Sequence, residues 1–335
     1  MTLPDRPMED RIRGFLETKN WLADVESVDF LAAGEYNENY LISTGKSRYV
    51  FRINHGSQLG LTRQIEYEFG VLKCLQDSTV TPRPFACDTG RDAPGRGVLL
   101  MEYVPGDPLD YRRDVEIAAE IFARVHSVEG GEGLIVQSAP VRDIASESLG
   151  LLRRYPDHPM RAERERLLTY REEIMTLAEK TRGVFGEEPL CIVNTEVNSK
   201  NFIIGKDRGI SRRKDRSCLV DWEKAVLSYR YQDLGHFLVP TSTLWKSDYT
   251  FDPDSREHFL RRYHGYCRQV DHPLDIDVEE LSYRTSILER TILLRAMSWC
   301  YMAYYEYTMR PRELKDDFTF QRIQMYLREL ECFLQ

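Results

Sequence analysis

The chain has 335 residues, 42% of them hydrophobic and 30% charged, with 20 Gly and 15 Pro. That is more than one small core needs and suggests two subdomains, while the composition excludes a disordered, collagen-like or mucin-like chain. With 46 Lys+Arg against 54 Asp+Glu the formal charge is -8, which argues against a general affinity for nucleic acid or anionic membrane but leaves room for a local phosphate pocket.

The opening residues hold no apolar stretch of signal-peptide length. The longest apolar runs, such as Val98 to Met101, fall far below the ~20 residues of a membrane span. Seven cysteines occur singly, with no CxxC pair, so neither a zinc site nor a redox dithiol is indicated. The odd count and the missing leader fit a reducing, cytoplasmic setting, and no membrane partner is expected.

Residues 8–22 carry helical spacing through Ile12, Phe15, Leu16 and Leu22. From Val28 the pattern changes to strands: VDFLAAGEYNENYLIS forms two around a Gly-containing connection. SRYVFRINH is a third, with Tyr49, Phe51 and Ile53 on one side and Val50 and Arg52 on the other. A helix through Ile65, Phe69, Leu72 and Leu75 follows, then strand candidates TPRPFACDT and GRGVLLMEYV. Beyond VPGDPLD the chain becomes mostly helical. Val115–His126 shows a clean apolar stripe, and residues 144–182 read as a charged helical pair. Between 190 and 223 short apolar strands return as LCIVNT, NFIIG and SCLVDWE, the last two joined by the basic connection 206–216, which reads as a solvated loop. Helices rich in Tyr and Trp close the sequence. Their rings Trp299, Tyr301, Tyr304, Tyr305 and Tyr307 have the spacing of core residues or, alternatively, of a stacking surface for a sugar or quaternary amine. This order is not the strand–helix alternation of a doubly wound sheet. The expected fold is α+β, with a β-rich lobe over residues 1–104 and a helical lobe over 105–335.

Polar residues at strand ends are the candidates for chemistry. Asn201 opens the strand FIIG, Asp221 closes the run CLV, and Glu196 lies five residues before Asn201. If the short strands pair as a hairpin, these three surround one cleft. An amide oxygen and a carboxylate there suit Mg²⁺ carrying nucleotide phosphates, and Glu196 suits the orientation or deprotonation of a hydroxyl. The same Asn and Asp also read as ordinary turn residues. Arg52 on its strand and Glu68 on the next helix form a second pair, either a structural ion pair or a phosphate-binding cation held by its carboxylate.

Together these strings resemble the aminoglycoside phosphotransferase and choline kinase-like enzymes, relatives of the protein kinases, from about Val28 to at least Leu238. The resemblance implies a two-lobed, protein kinase-like fold and an ATP- and Mg²⁺-dependent phosphotransferase acting on a hydroxyl of a small molecule. GEYNENYLI resembles the nucleotide-covering turn and nominates Gly34 and Asn37. YVFRIN places Arg52 as the phosphate-contacting cation, with Glu68 as its partner in preference to Glu66. LLMEYVPGDPL resembles the interlobe linker, so Met101, Glu102, Tyr103 and Val104 would receive the adenine. VDWE makes Asp221 the principal metal ligand, with Asn201 as the second. His126 and Asp233 fall at structural positions.

The catalytic string departs from the family. Its usual His-Gly-Asp, four residues and then Asn is here Asn194-Thr195-Glu196 through Asn201. Glu196 keeps a carboxylate but moves it by one methylene, about 1–1.5 Å, a displacement that can cost about a hundredfold in rate. The resemblance therefore implies an atypical small-molecule kinase with Glu196, Asn201, Asp221 and Arg52 as its catalytic set. The alternative is a nucleotide-binding pseudokinase or scaffold with weak or no transfer.

Overall fold

A computed structural model of the chain describes residues 7–34, 36–90, 92–186, 188–206, 216–270, 274–310 and 317–335. Two compact units emerge. One comprises residues 1–107, 128–134 and 203–225, and the other 108–127, 135–202 and 226–335. The sequence division at 104/105 thus differs from the spatial one: the stretch 203–225, expected in the helical lobe, packs with the β-rich unit.

The first unit begins with helix α1 (Met8–Thr18), shorter than the pattern over 8–22 suggests because Asn20 adopts φ 52° just after it. Strands β1 (Val25–Ala33), β2 (Asn37–Thr44) and β3 (Arg48–Asn54) follow, then α2 (Gln64–Leu75), β4 (Pro84–Asp88) and β5 (Gly97–Glu102). The five strands form one antiparallel sheet in the order β1-β2-β3-β5-β4. Alternation along β3 divides its residues as the sequence pattern indicates. Phe51 and Ile53 join the core that Phe15 and Leu16 of α1 complete, and Arg52 is buried outside that cluster.

Strands β6 (Asp107–Pro108), β8 (Phe202–Ile204) and β9 (Cys218–Leu219) make a small sheet in the order β6-β8-β9. Strand β7 (Cys191–Val193) pairs instead with β10 (Val226–Ser228), an element too short to read from sequence. The strands expected to form a hairpin between Asn201 and Asp221 do pair, β8 with β9, while β7 lies outside that sheet.

Most of the basic connection, residues 207–215, lies outside the described residues. Arg216 at its end corrects the expectation of a solvated loop. It is buried, its Nη1 and Nη2 donate to Glu102 Oε1 and Oε2 at 2.8 and 2.7 Å, and it also reaches the carbonyls of Thr79 and Thr81. This forked contact ties the end of β5 to the segment entering β9, and it holds the Glu102 carboxyl below the usual range despite its burial.

The second unit is helical: α3 (Val115–His126), α4 (Pro140–Arg153), α5 (Arg161–Lys180), α6 (Tyr231–Leu238), α7 (Pro240–Lys246), α8 (Pro253–Cys267), α9 (Val278–Met309), α10 (Asp317–Arg328) and α11 (Leu330–Phe333). The 32-residue α9 is its axis. Gly235 lets α6 approach α9 closely, since a Cβ there would fall 2.8 Å from the Glu289 nitrogen. The aromatic run of α9 is mostly core: Tyr301, Tyr305 and Tyr307 are buried, Tyr305 stacks on Tyr155 at 4.3 Å and Tyr301 on His158 at 3.7 Å. Among the described residues no helix is long and apolar enough to cross a membrane.

Substituting Arg216→Ala should lower stability by about 2–3 kcal/mol, because it leaves a half-buried carboxylate and two carbonyls without their donor. Urea unfolding measures this, and Arg216→Lys should recover little of it because an ammonium cannot make the forked contact. A loss under about 0.5 kcal/mol for the Ala variant would contradict this role.

Candidate active site

In the first unit the site is organised by Arg52. Its position on β3 opposite Asn39 of β2 lets Nε donate to Asn39 Oδ1 at 3.0 Å. Nη1 donates to Glu68 Oε1 of α2 at 2.6 Å and to Asp221 Oδ1 at 3.0 Å. Glu66, one turn position away, faces elsewhere and bonds Thr89 and Arg63. Burial disfavours the Arg52 charge, but Glu68, then Asp221 and Glu223, outweigh it and raise its pKa. Burial pushes the Glu68 carboxyl up, with Arg52 pulling against it. The planar fork matters: Nε and Nη1 are spent inside the unit, while Nη2 makes no hydrogen bond among the described residues. A lysine would carry its donors on one rotatable ammonium, without this fixed division of bonds among separate nitrogens.

Asp221 follows β9 in the left-handed conformation, φ 65°, which Asp tolerates better than most residues. Trp222 beside it is fully buried, with Nε1 donating to the Leu219 carbonyl. Two residues on, Glu223 brings a second carboxylate within 4.8 Å of that of Asp221. Glu223 accepts from Asn37 Nδ2 at 2.5 Å, and its carbonyl accepts from Gln64 Nε2 at 2.7 Å. Burial, then the neighbouring Asp221 and Glu68, push its pKa up to about 7. Sequence reasoning assigned Glu223 no role. The signal available was its place in VDWE, two residues after the candidate ligand Asp221.

Asn37 and its neighbours differ from the expectation of a residue simply facing nucleotide. Both ends of its amide are engaged, Nδ2 with Glu223 and Oδ1 with Asn54 Nδ2 at 2.8 Å. Gly34 donates from its nitrogen to the Asn37 carbonyl at 2.8 Å, closing the β1–β2 turn. In the linker, Met101 and Val104 are buried, the Glu102 amide is taken by the Arg83 carbonyl at 2.8 Å and the Tyr103 amide by the Arg48 carbonyl at 3.4 Å. The Val104 amide has no such partner among the described residues.

Three carboxylates, Glu68, Asp221 and Glu223, surround one arginine in this unit. Glu68 Oε2 is buried without a hydrogen bond of normal geometry. Three carboxylates around Arg52 supply the hard oxygens that a Mg²⁺ ion takes, so these residues fit a divalent metal.

The second unit holds the altered catalytic string. Asp233 on α6 is fully buried and accepts from the amides of Asn194 and Thr195, each at 2.8 Å. His126 of α3 lies against the same carboxylate through Nε2 at 3.4 Å and against the Tyr263 hydroxyl through Nδ1 at 2.9 Å, and burial lowers its pKa. Thr195 takes φ 69°, a conformation that is uncommon for a β-branched side chain and suits the family's glycine. Its carbonyl accepts from Arg295 Nη2 of α9 at 3.0 Å. Asn194 stands where the family has histidine, and its Oδ1 accepts from the Glu196 amide at 3.1 Å, an Asx turn that aims the next carboxylate. Asn201 donates from Nδ2 to the Glu196 carbonyl at 2.7 Å, which fixes Oδ1 as the end able to face a cation. Arg295 carried no sequence signal: it lies 100 residues from the carbonyl it holds.

Thr195→Gly should raise stability by about 1 kcal/mol by relieving the left-handed strain, and Asp233→Ala should lower it by several times as much by orphaning two buried amides. Chemical denaturation of the two variants tests this, and a Thr195→Gly loss as large as that of Asp233→Ala would contradict it.

Residues 27–274 match the phosphotransferase enzyme family. No curated protein matches the chain in sequence. Among solved structures, the ethanolamine kinase of Plasmodium vivax is 13% identical, with 99% of this chain and 96% of that chain covered and a TM-score of 0.66. A choline kinase from Streptococcus pneumoniae is 18% identical, with 96% and 99% covered and a TM-score of 0.61. An amicoumacin kinase solved with AMP-PNP and Ca²⁺ is 14% identical, with 96% and 93% covered and a TM-score of 0.64. At such identities the likeness is one of fold, that of two-lobed, protein kinase-like enzymes. The fold, the residues just described and the match over residues 27–274 agree, and the chain belongs to the phosphotransferase enzyme family.

Proposed function

We propose that the protein transfers the γ-phosphoryl group of ATP to a hydroxyl of a small molecule. The observation that carries this reading is the buried Arg52, oriented by Asn39, Glu68 and Asp221, with Nη2 left for a phosphate oxygen. The Val104 amide would receive the adenine edge beside Met101, and Gly34 would lie in the turn covering the phosphates. Asp221, Asn201 and Glu223 would hold Mg²⁺, which when bound neutralises charge on the phosphates.

Phosphoryl transfer asks mainly for positioning and charge stabilisation. The acceptor oxygen forms a bond to the γ-phosphorus as the bond to the β–γ bridging oxygen breaks, ADP departs, and the hydroxyl proton passes to the Glu196 carboxylate and then to water. Glu196 is longer than the family's aspartate, but the Asx turn at Asn194 and the amide of Asn201 fix its backbone on both sides. The extra methylene is thus carried by a side chain on an ordered loop.

Incubation with Mg-ATP and a library of hydroxyl metabolites, read by mass spectrometry for phosphorylated products, tests the reading. Phosphorylated product is expected from the wild type, with kcat reduced at least about a hundredfold in Glu196→Gln and further in Asp221→Ala. Equal turnover by Glu196→Gln and wild type would remove Glu196 from the base role. ATP binding with no product from any acceptor would favour a nucleotide-binding scaffold.

A further inference from the structure

Within the first unit, Asn37 makes two kinds of hydrogen bond with two separate consequences. Through its main chain it closes the turn between β1 and β2, its carbonyl accepting from the Gly34 amide at 2.8 Å. Through its side chain it holds a carboxylate of the candidate metal site, Nδ2 donating to Glu223 Oε2 at 2.5 Å. Glu223 lies 186 residues further along the chain. One residue therefore joins the turn nominated to cover the phosphates to the acid cluster around Arg52.

The Asn37 amide is held in the orientation this requires. A carboxylate only accepts, so the NH₂ end must face Glu223. Asn54, the cross-strand neighbour of Asn37 on β3, occupies the other end. Its Nδ2 donates to Asn37 Oδ1 at 2.8 Å and to the Gly56 carbonyl at 2.7 Å, which uses both of its hydrogens. The turn rests on the same place. The His55 amide donates to the Tyr36 carbonyl at 2.7 Å, and a Cβ on Gly56 would fall 2.4 Å from Tyr36 Cδ1. Asn37, Asn54 and Glu223 are 6%, 2% and 8% exposed, so water replaces none of these bonds at small cost.

The backbone of the acid segment is fixed independently from α2. Gln64 Nε2 donates to the Glu223 carbonyl at 2.7 Å, and the Tyr67 hydroxyl to the Ala225 carbonyl at 2.6 Å. Gln64 is itself oriented by Ser57 Oγ, which donates to its Oε1 at 2.5 Å. What is left for Asn37 to settle is the Glu223 side chain. Oε2 is taken by Asn37, while Oε1 makes no hydrogen bond among the described residues. That division suits a carboxylate presenting one oxygen to a cation and anchored by the other.

We propose that Asn37, oriented by Asn54, is a positioning residue that couples the β1–β2 turn to the metal-holding carboxylate of Glu223. Glu223, once fixed by a cation, fixes the Asn37 amide and with it the residue whose carbonyl closes the turn. Metal occupancy and ordering of the turn are then gained together. The inference rests on the phosphotransferase reading for the nucleotide and for Mg²⁺, and on the hydrogen-bond chain alone for the coupling.

The test is calorimetry of ATP binding to wild type, Asn37→Ala and Asn54→Ala, each with Mg²⁺ and with a chelator. Hydrogen exchange is followed in parallel at the Gly34 amide and over residues 221–225. Each variant should bind Mg-ATP about tenfold more weakly, while its affinity for ATP in chelator stays within about twofold of wild type. In the wild type, Mg-ATP should slow exchange at Gly34 and over 221–225 together, and ATP in chelator should not. Both variants should lose the slowing at Gly34. Equal losses of affinity with and without metal would reduce Asn37 and Asn54 to a structural role and overturn the proposal. Slowing over 221–225 with Gly34 unaffected in the wild type would also overturn it, and that measurement needs no variant to fold. ATP bound without phosphorylated product from any acceptor would end the phosphotransferase reading but leave the coupling to be decided by the same affinities and exchange rates. No binding of ATP to the wild type would overturn both.

Discussion

A single buried arginine governs the first unit. Arg52 has little contact with water, and its charge persists there only because Glu68 and Asp221 accept from it directly. Glu68, buried beside it, depends on that charge in turn, while Asp221 keeps part of its side chain in solvent. The arrangement draws on four separate elements: β2 supplies Asn39, β3 the arginine, α2 Glu68, and the segment after β9 Asp221. This interdependence explains why residues 203–225 belong with the β-rich unit although sequence order suggests otherwise. Their terminal carboxylates complete a charge cluster whose other members lie in the first seventy residues.

The second unit solves a different problem, holding an irregular backbone in place. Residues 194–201 contain a left-handed threonine and a one-turn 3₁₀ segment, neither of which is stable alone. Asp233 accepts from two successive amides, Arg295 donates to the carbonyl that follows them, that of Thr195, and Asn194 and Asn201 bond back onto Glu196. The altered string therefore keeps the backbone logic that a glycine and a histidine would otherwise serve. Asn194 replaces histidine with an Asx turn, and Thr195 accepts a strained conformation because both of its flanking peptides are pinned.

Much of this was legible in the order of residues. The alternation along Tyr49–Ile53 separated Arg52 from the apolar core face, and the family resemblance nominated Glu68 rather than Glu66 as its partner. The family resemblance supplied the roles of Asn201 and Asp221 that strand-end polarity left ambiguous. What could not be read depends on partners distant in sequence or on backbone dihedrals. Arg216 looked like one more cation of a solvated loop because its partner Glu102 lies 114 residues away. Glu223 drew no assignment because its partners Asn37 and Gln64 lie 186 and 159 residues away. Strands β6, β7 and β10, two or three residues each, lack the length for a period to show, so the pairing of β7 with β10 was hidden. The aromatic stretch of α9 was ambiguous by composition, and packing against Tyr155 and His158 resolves most of it as core.

The central claim is that the carboxylates gathered around Arg52 exist to hold a metal-bound nucleotide. Calorimetric titration of ATP into the full chain, once with Mg²⁺ and once with a chelator, tests it most directly. The account predicts binding in the presence of Mg²⁺ that weakens at least about tenfold when the metal is removed, since the excess carboxylates then repel the phosphates. ATP that fails to bind at all, or that binds equally well without the metal, would contradict it.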